Sequence, residues 1–149
     1  MMSVAITLHL FATIVWVGGM FFAHMALRPA ASQLLEPPQR LPLLHGVLGR
    51  FFPWVWISIV LILGSGYWIF LGILGGQAAL HVHLMQGTGL LMVAIFCFIY
   101  FVPYRRMGTA LKSGDLPVAG ARMALIRRLI GINLILGLGT ALLGVARPF

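Results

Sequence analysis

The chain has 149 residues, of which 61% are hydrophobic and only 8% are charged, and its mean hydropathy is +1.05. A soluble domain carries about 25% charged residues, so this composition excludes an ordinary soluble enzyme and a disordered tail. The net charge of +8 arises from ten basic and two acidic residues. Because the basic residues flank apolar runs, they predict contact with a lipid bilayer and no binding to nucleic acid.

Four apolar stretches reach the roughly 20 residues that a membrane-spanning helix needs. In chain order they cover approximately residues 5–27, 51–74, 80–102 and 125–145. They leave no room for a second domain, so the sequence predicts an all-α, integral membrane four-helix bundle that forms a single domain over 1–149. Residues 39–50 either begin the second helix early or lie flat at the membrane interface.

The loops between these helices differ sharply in charge. The loop after the second helix, at 75–79, is uncharged, whereas basic residues concentrate in the first and third loops and at the start of the fourth helix: Arg28, Arg40, Arg50, Arg105, Arg106, Lys112, Arg122, Arg127 and Arg128. The positive-inside rule places basic loops in the cytoplasm. The sequence therefore predicts a multi-pass protein of a bacterial inner membrane with both termini in the periplasm.

Five histidines are the main chemical signal, because the predicted spans contain no carboxylate and the chain has no phosphate loop or zinc helix motif. His9, His81 and His83 lie near the periplasmic face, and His24 and His45 lie near the cytoplasmic face. His9 and His24 share one stripe of the first helix, about 22 Å apart at ~1.5 Å per residue. This separation suits two redox centres stacked across a bilayer.

In the third helix, His81 and His83 point in nearly opposite directions, because two residues subtend about 200°. The side of His83 also carries Gly87 and Ala94. Small residues allow a flat group such as a porphyrin to approach closely, and haem iron accepts imidazole ligands. The pattern therefore favours His83 as the inward ligand, with His81 as the alternative.

One side of the fourth helix carries small and polar residues at helical spacing: Asn133, Gly137, Thr140 and Gly144. Close helix packing and a cofactor groove both account for such a face, and the two can coexist.

A copper site is a second interpretation of the same residues. The run His81-x-His83-x-Met85 combines imidazole and thioether groups, which Cu(I) prefers. Such a site would use His9, His81, His83 and Met85. The divergence of His81 and His83 on a regular helix weighs against one compact site.

The first helix reads His9-Leu10-x5-Trp16-Val17-Gly18-Gly19-Met20-Phe21-Phe22 and ends Leu27-Arg28-Pro29. Together with Ser65-Gly66-Tyr67-Trp68, His83-Leu84-Met85 and Arg127-Arg128-Leu129-Ile130-x-Ile132-Asn133, it resembles the CopD family, the membrane domain of copper-resistance protein D. The opening is also distantly similar to HemJ-type membrane proteins.

The CopD resemblance implies a compact four-helix membrane protein that handles copper. The HemJ resemblance implies a b-type haem and redox chemistry. By position, His9 matches the first-helix histidine that both families share, and His83 matches the third-helix histidine of the CopD-like pattern. HemJ-type proteins are expected to have a lysine in the third helix, and this span has none. That departure counts against protoporphyrinogen oxidation.

The leading hypothesis is an electron-transfer protein with one or two b-type haems. His9 and His83 would hold a haem near the periplasmic face, and His24 and His45 would hold a second near the cytoplasm. Haem propionates would pair with nearby arginines: Arg28, Arg50, Arg127 and Arg128. The expected partners are quinol or a periplasmic redox protein, and a homo-oligomer is compatible with the pattern. The alternatives are a copper-binding or copper-transport protein and a non-catalytic assembly subunit, and enzymatic activity is left open.

Overall fold

The computed structural model describes residues 2–146, which form four long helices and contain no β-strand. We name the helices α1 (Met2–Leu34), α2 (Pro37–Ile73), α3 (Leu80–Lys112) and α4 (Leu116–Ala146). Each is long and apolar enough to cross a membrane. The predicted all-α, four-helix membrane architecture is therefore confirmed.

The helices are longer than the predicted apolar spans. At ~1.5 Å per residue, lengths of 31 to 37 residues correspond to about 46 to 56 Å, whereas the hydrocarbon core of a bilayer is about 30 Å thick. The segment 39–50, which the sequence left undecided, is part of α2. Arg28, Arg50 and Lys112 lie in these additional turns, beyond the apolar spans. They mark one end of the bundle, which we call the basic end. The opposite end, with Met2 and Ala146, is the terminal end.

Three of the helices contain one π-helical turn, at Ala23–Leu27, Trp68–Ile73 and Tyr100–Tyr104. The first lies directly before the Arg28-Pro29 pair, where the sequence predicted the helix to end. The N–H of Arg28 instead bonds to the carbonyl oxygen of Ala23, and the helix continues to Leu34. Proline lacks an N–H and disturbs the regular α pattern, and a wider turn accommodates that disturbance without ending the helix.

Glycines make the two turns that connect α2 to α3 and α3 to α4. Gly75 and Gly76 have φ angles of 62° and 80°, and Gly114 has a φ of 74°. These are left-handed conformations that only glycine adopts without steric cost. Asp115 follows, and its side chain accepts a hydrogen bond from the N–H of Val118 at 3.3 Å, which caps α4.

α1 packs chiefly on α2, and α3 packs chiefly on α4, with fewer contacts between the two pairs. Aromatic rings fill the centre of the bundle. The Phe96 ring lies edge-on to the rings of Trp16 and Phe52, at centroid distances of 6.4 Å and 5.2 Å. The outer surface carries exposed apolar side chains such as Phe11 and Leu142. As expected for membrane-spanning helices, this outer surface contacts lipid.

The small and polar face of α4 lies against α3. The Asn133 side-chain amide donates to the carbonyl oxygen of Met92 at 3.1 Å, and the hydroxyls of Thr140 and Thr88 are 2.7 Å apart. A Cβ at Gly137 would lie 3.1 Å from the Met92 Cε. The face therefore allows close packing of α4 on α3.

Candidate functional site

A cavity of about 220 Å³ lies between the four helices, in the half of the bundle nearer the terminal end. Its wall is largely apolar, but each helix contributes at least one polar side chain: His9, Thr13, Tyr67, Gln86 and Thr140. An apolar cavity of about 150 Å³ binds benzene, so this one accommodates a group larger than a single aromatic ring. An apolar cavity with a few convergent polar groups is typical of a ligand-binding site.

His9 is held at this cavity by α2. Its Nδ1 lies 3.2 Å from the Ser65 Oγ, and the Ser65 hydroxyl donates its proton to the carbonyl oxygen of Leu61. In the tautomer of His9 that carries its proton on Nδ1, Ser65 accepts this hydrogen bond and the Nε2 lone pair is left for another partner. A Cβ at Gly66 would lie 3.4 Å from the His9 Cε1, so the backbone of α2 approaches the ring closely.

Two methionines of α3 line the same cavity. A Cβ at Gly144 would lie 3.2 Å from the Met85 Cε and 3.6 Å from its Sδ, and Gly137 similarly leaves room for Met92. The cavity therefore brings together one imidazole from α1 and two thioethers from α3. Gly137 also lines the cavity, so the small face of α4 serves both helix packing and cavity formation.

The structure brings neither His81 nor His83 into the wall of this cavity. Val82, which lies between them, lines it instead. The His83 ring packs edge-on against the Phe70 ring of α2 at a centroid distance of 5.6 Å. The predicted pairing of His9 with His83, or with His81, stays a prediction.

The histidines near the basic end lie on different walls of the bundle. His24 packs on α4, where its Cε1 is 3.1 Å from the position of a Cβ at Gly131. His45 stacks on the Tyr104 ring of α3, with centroids 4.5 Å apart and planes 8° apart. A second cavity, of about 20 Å³, is lined by His24 but not by His45. The predicted haem between these two histidines therefore stays a prediction.

Of the four arginines expected to pair with propionates, Arg28 and Arg127 line this second cavity. Arg50 and Arg128 are exposed and lie outside its wall.

Within residues 2–146, no group of three or more His, Cys, Asp or Glu side chains is arranged to hold a metal ion. Haem needs no such group, because porphyrin nitrogens hold its iron. The predicted copper site of His9, His81, His83 and Met85 stays a prediction.

Sequence reasoning did not identify the partners of the histidines. Ser65 and Gly66 support His9, Gly131 supports His24, and Tyr104 supports His45. The sequence marked Ser65-Gly66 as part of a family-like motif and of a small, polar stretch in the middle of the second helix, but not as a partner of His9. A periodic pattern shows which face of a helix a residue occupies, but it carries no signal for the residue opposite it on another helix.

Comparison of the chain with family models, with curated proteins and with solved structures gave no match. The resemblance to the CopD and HemJ-type families therefore depends on the sequence motifs alone.

Proposed function

We propose that this protein binds a b-type haem in the larger cavity and transfers electrons within the membrane. The observation that carries the proposal is the contact between the His9 Nδ1 and the Ser65 hydroxyl at the cavity, which in the Nδ1–H tautomer leaves the Nε2 lone pair for a metal ion. Metal-ligating histidines almost always donate their other N–H in this way, because the bond fixes the ring and raises its basicity. Bound haem would supply one-electron redox chemistry.

The donor atoms around the cavity fit haem. His9 would hold the haem from α1, and from α3 either the Met85 thioether, which lines the cavity, or the predicted His83, which lies outside its wall, would hold it as well. Both His/His and His/Met ligation occur in haem proteins. The 220 Å³ volume is small for a complete porphyrin. Binding of a complete porphyrin would therefore require the α1–α2 and α3–α4 pairs, which have fewer contacts with each other than within each pair, to move apart.

The chain's own residues would perform three tasks at this site. Ser65 orients the His9 ring, the apolar wall excludes water, and Gly66 permits close approach of α2. Exclusion of water lowers the local dielectric, which is one of the ways a protein sets the potential of a haem.

A Cu(I) site is the second candidate, and the observation that favours it is that Met85 and Met92 line the same cavity as His9. Soft thioether sulfur together with imidazole suits Cu(I). The site differs from the one the sequence suggested, because it uses Met92 and does not require the diverging His81 and His83.

The proposal includes the membrane orientation that the charge pattern predicts. The basic end would face the cytoplasm of a bacterial cell, and the terminal end, with the His9 cavity near it, would face the periplasm. Quinol in the bilayer or a periplasmic redox protein would then be the electron partner.

The decisive experiment is absorption spectroscopy of the detergent-purified chain, oxidised and reduced, with metal analysis of the same sample. Haem binding predicts a Soret band and a sharp α band on reduction. The His9→Ala variant should lose this haem, whereas Leu10→Ala, which truncates the exposed neighbour, should retain it. Full haem content in His9→Ala would refute the ligand assignment. A colourless protein with one copper per chain would support the second candidate, and a metal-free protein would refute both.

A further inference from the structure

Two residues that line the small cavity at the basic end each have a buried polar atom that lacks a partner. They are the Nδ1 of His24 and the Nε of Arg28, and both residues line this cavity of about 20 Å³. More than nine in ten buried polar groups in proteins have a hydrogen-bond partner. Two unpaired atoms on residues that line one cavity therefore indicate that a partner from outside the chain belongs there.

The two donor atoms require an oxygen acceptor, and the positive charges beside them favour an anion as that acceptor. The Arg28 Nε–H can only donate, and the His24 Nδ1 donates in one of its tautomers, so an oxygen acceptor satisfies both. Arg127 lines the same cavity and adds a second permanent positive charge. The chain has two acidic residues, Glu36 and Asp115, and neither lines the cavity.

The size and position of the cavity indicate which kind of anion enters. A volume of about 20 Å³ accepts one water-sized atom, so one oxygen of a larger group would enter while the rest stays outside. The exposed apolar side chains of Phe22 and Met25 lie beside the site on α1. A phosphate that carries acyl chains matches this combination, because basic pockets between membrane helices bind acidic lipid headgroups.

We propose that His24, Arg28 and Arg127 form a binding site for the phosphate group of an anionic phospholipid. The Arg28 Nε–H and the His24 Nδ1–H donate to one phosphate oxygen, and Arg127 contributes charge from α4. The site thereby ties α1 to α4 at the basic end through a lipid. This inference is independent of whether the larger cavity holds haem or copper.

The test is native mass spectrometry of the detergent-purified full chain, incubated with dioleoylphosphatidylglycerol or with dioleoylphosphatidylcholine. We expect the anionic lipid to be retained at least about fivefold more strongly, the effect of roughly one basic side chain near a lipid surface. Arg28→Gln should remove most of this preference, with the charge of Arg127 supplying the remainder. Arg106→Gln, which removes an exposed charge outside the cavity, should retain the lipid as the unchanged chain does.

Arg28→Lys separates a built site from general attraction to charge, because lysine keeps the positive charge but lacks an Nε–H donor. We expect this variant, verified as helical by circular dichroism, to lose most of the preference. Equal retention by Arg28→Lys and the unchanged chain would overturn the proposal, as would equal retention of the two lipids. Displacement of the anionic lipid by an equal concentration of inorganic phosphate would overturn the lipid assignment in favour of free phosphate.

Discussion

Gly137 lies where three helices meet, and substitution by alanine should destabilise the bundle. The added Cβ would lie 2.9 Å from the Val17 Cγ2 of α1 and 3.1 Å from the Met92 Cε of α3. The methionine tip can move, but valine is stiff about χ1, so α1 and α4 must separate slightly. Overpacking of this kind costs about 1–3 kcal/mol.

Gly139→Ala is the matched control. Gly139 lies on the same helix as Gly137, but a Cβ added there meets nothing within 4 Å. Both substitutions gain the same intrinsic helix propensity, about 1 kcal/mol relative to glycine, so this gain cancels in the comparison. The difference between the two variants therefore reports the steric clash at Gly137 alone.

The assay is thermal unfolding of both variants in the same detergent, followed by circular dichroism. At about 2–4 °C per kcal/mol for a chain of this size, Gly137→Ala should unfold about 2 to 12 °C below Gly139→Ala. Adding Val17→Ala to Gly137→Ala should recover part of the loss, because it removes the closest clashing atom. Equal unfolding temperatures for the two glycine variants would refute this account of the packing.

Three further predictions concern the site, the core and the orientation. Ser65→Ala should lower haem or copper affinity about 10–100-fold, measured by titration of the apo-protein, because His9 loses the acceptor that orients its ring; unchanged affinity would contradict the role of the serine. Asn133→Ala should cost about 0.6–2 kcal/mol of unfolding free energy in detergent, because it removes a buried hydrogen bond to α3; a stability unchanged from the parent would count against that bond. In a cysteine-free background, a membrane-impermeant maleimide should label Gln77→Cys but not Ser113→Cys in intact cells, and the reverse pattern would invert the proposed orientation.

The architecture followed from the sequence because hydropathy over about 20 residues is a strong physical constraint in lipid. The helix ends did not follow as well. Arg28-Pro29 predicted the end of the first helix, but α1 continues to Leu34 by way of a wider turn. In a membrane protein, neighbouring helices and local changes of helix type satisfy the backbone groups that a proline leaves free.

The candidate site was predictable only in part. Helical periodicity placed His9 and His24 on one stripe of α1, and both face other helices, α2 for His9 and α4 for His24. It did not identify Ser65 or Gly131 as their partners, because the relative rotation and height of two helices are properties of the packed bundle. Which of His81 and His83 faces the interior likewise depends on the rotation of α3 relative to the other helices.

The three π-helical turns carry a consequence for the geometry of the bundle. One contains His24, one contains the Phe70 that packs on His83, and one contains the Tyr104 that stacks on His45. Each adds a residue to one turn, and one residue corresponds to about 100° of azimuth. A π-helical turn therefore sets the rotation of the segment after it relative to the segment before it. Deletion of one residue in such a turn would rotate the following segment by about 100° about the helix axis, away from its present neighbour, and would leave the preceding segment in place.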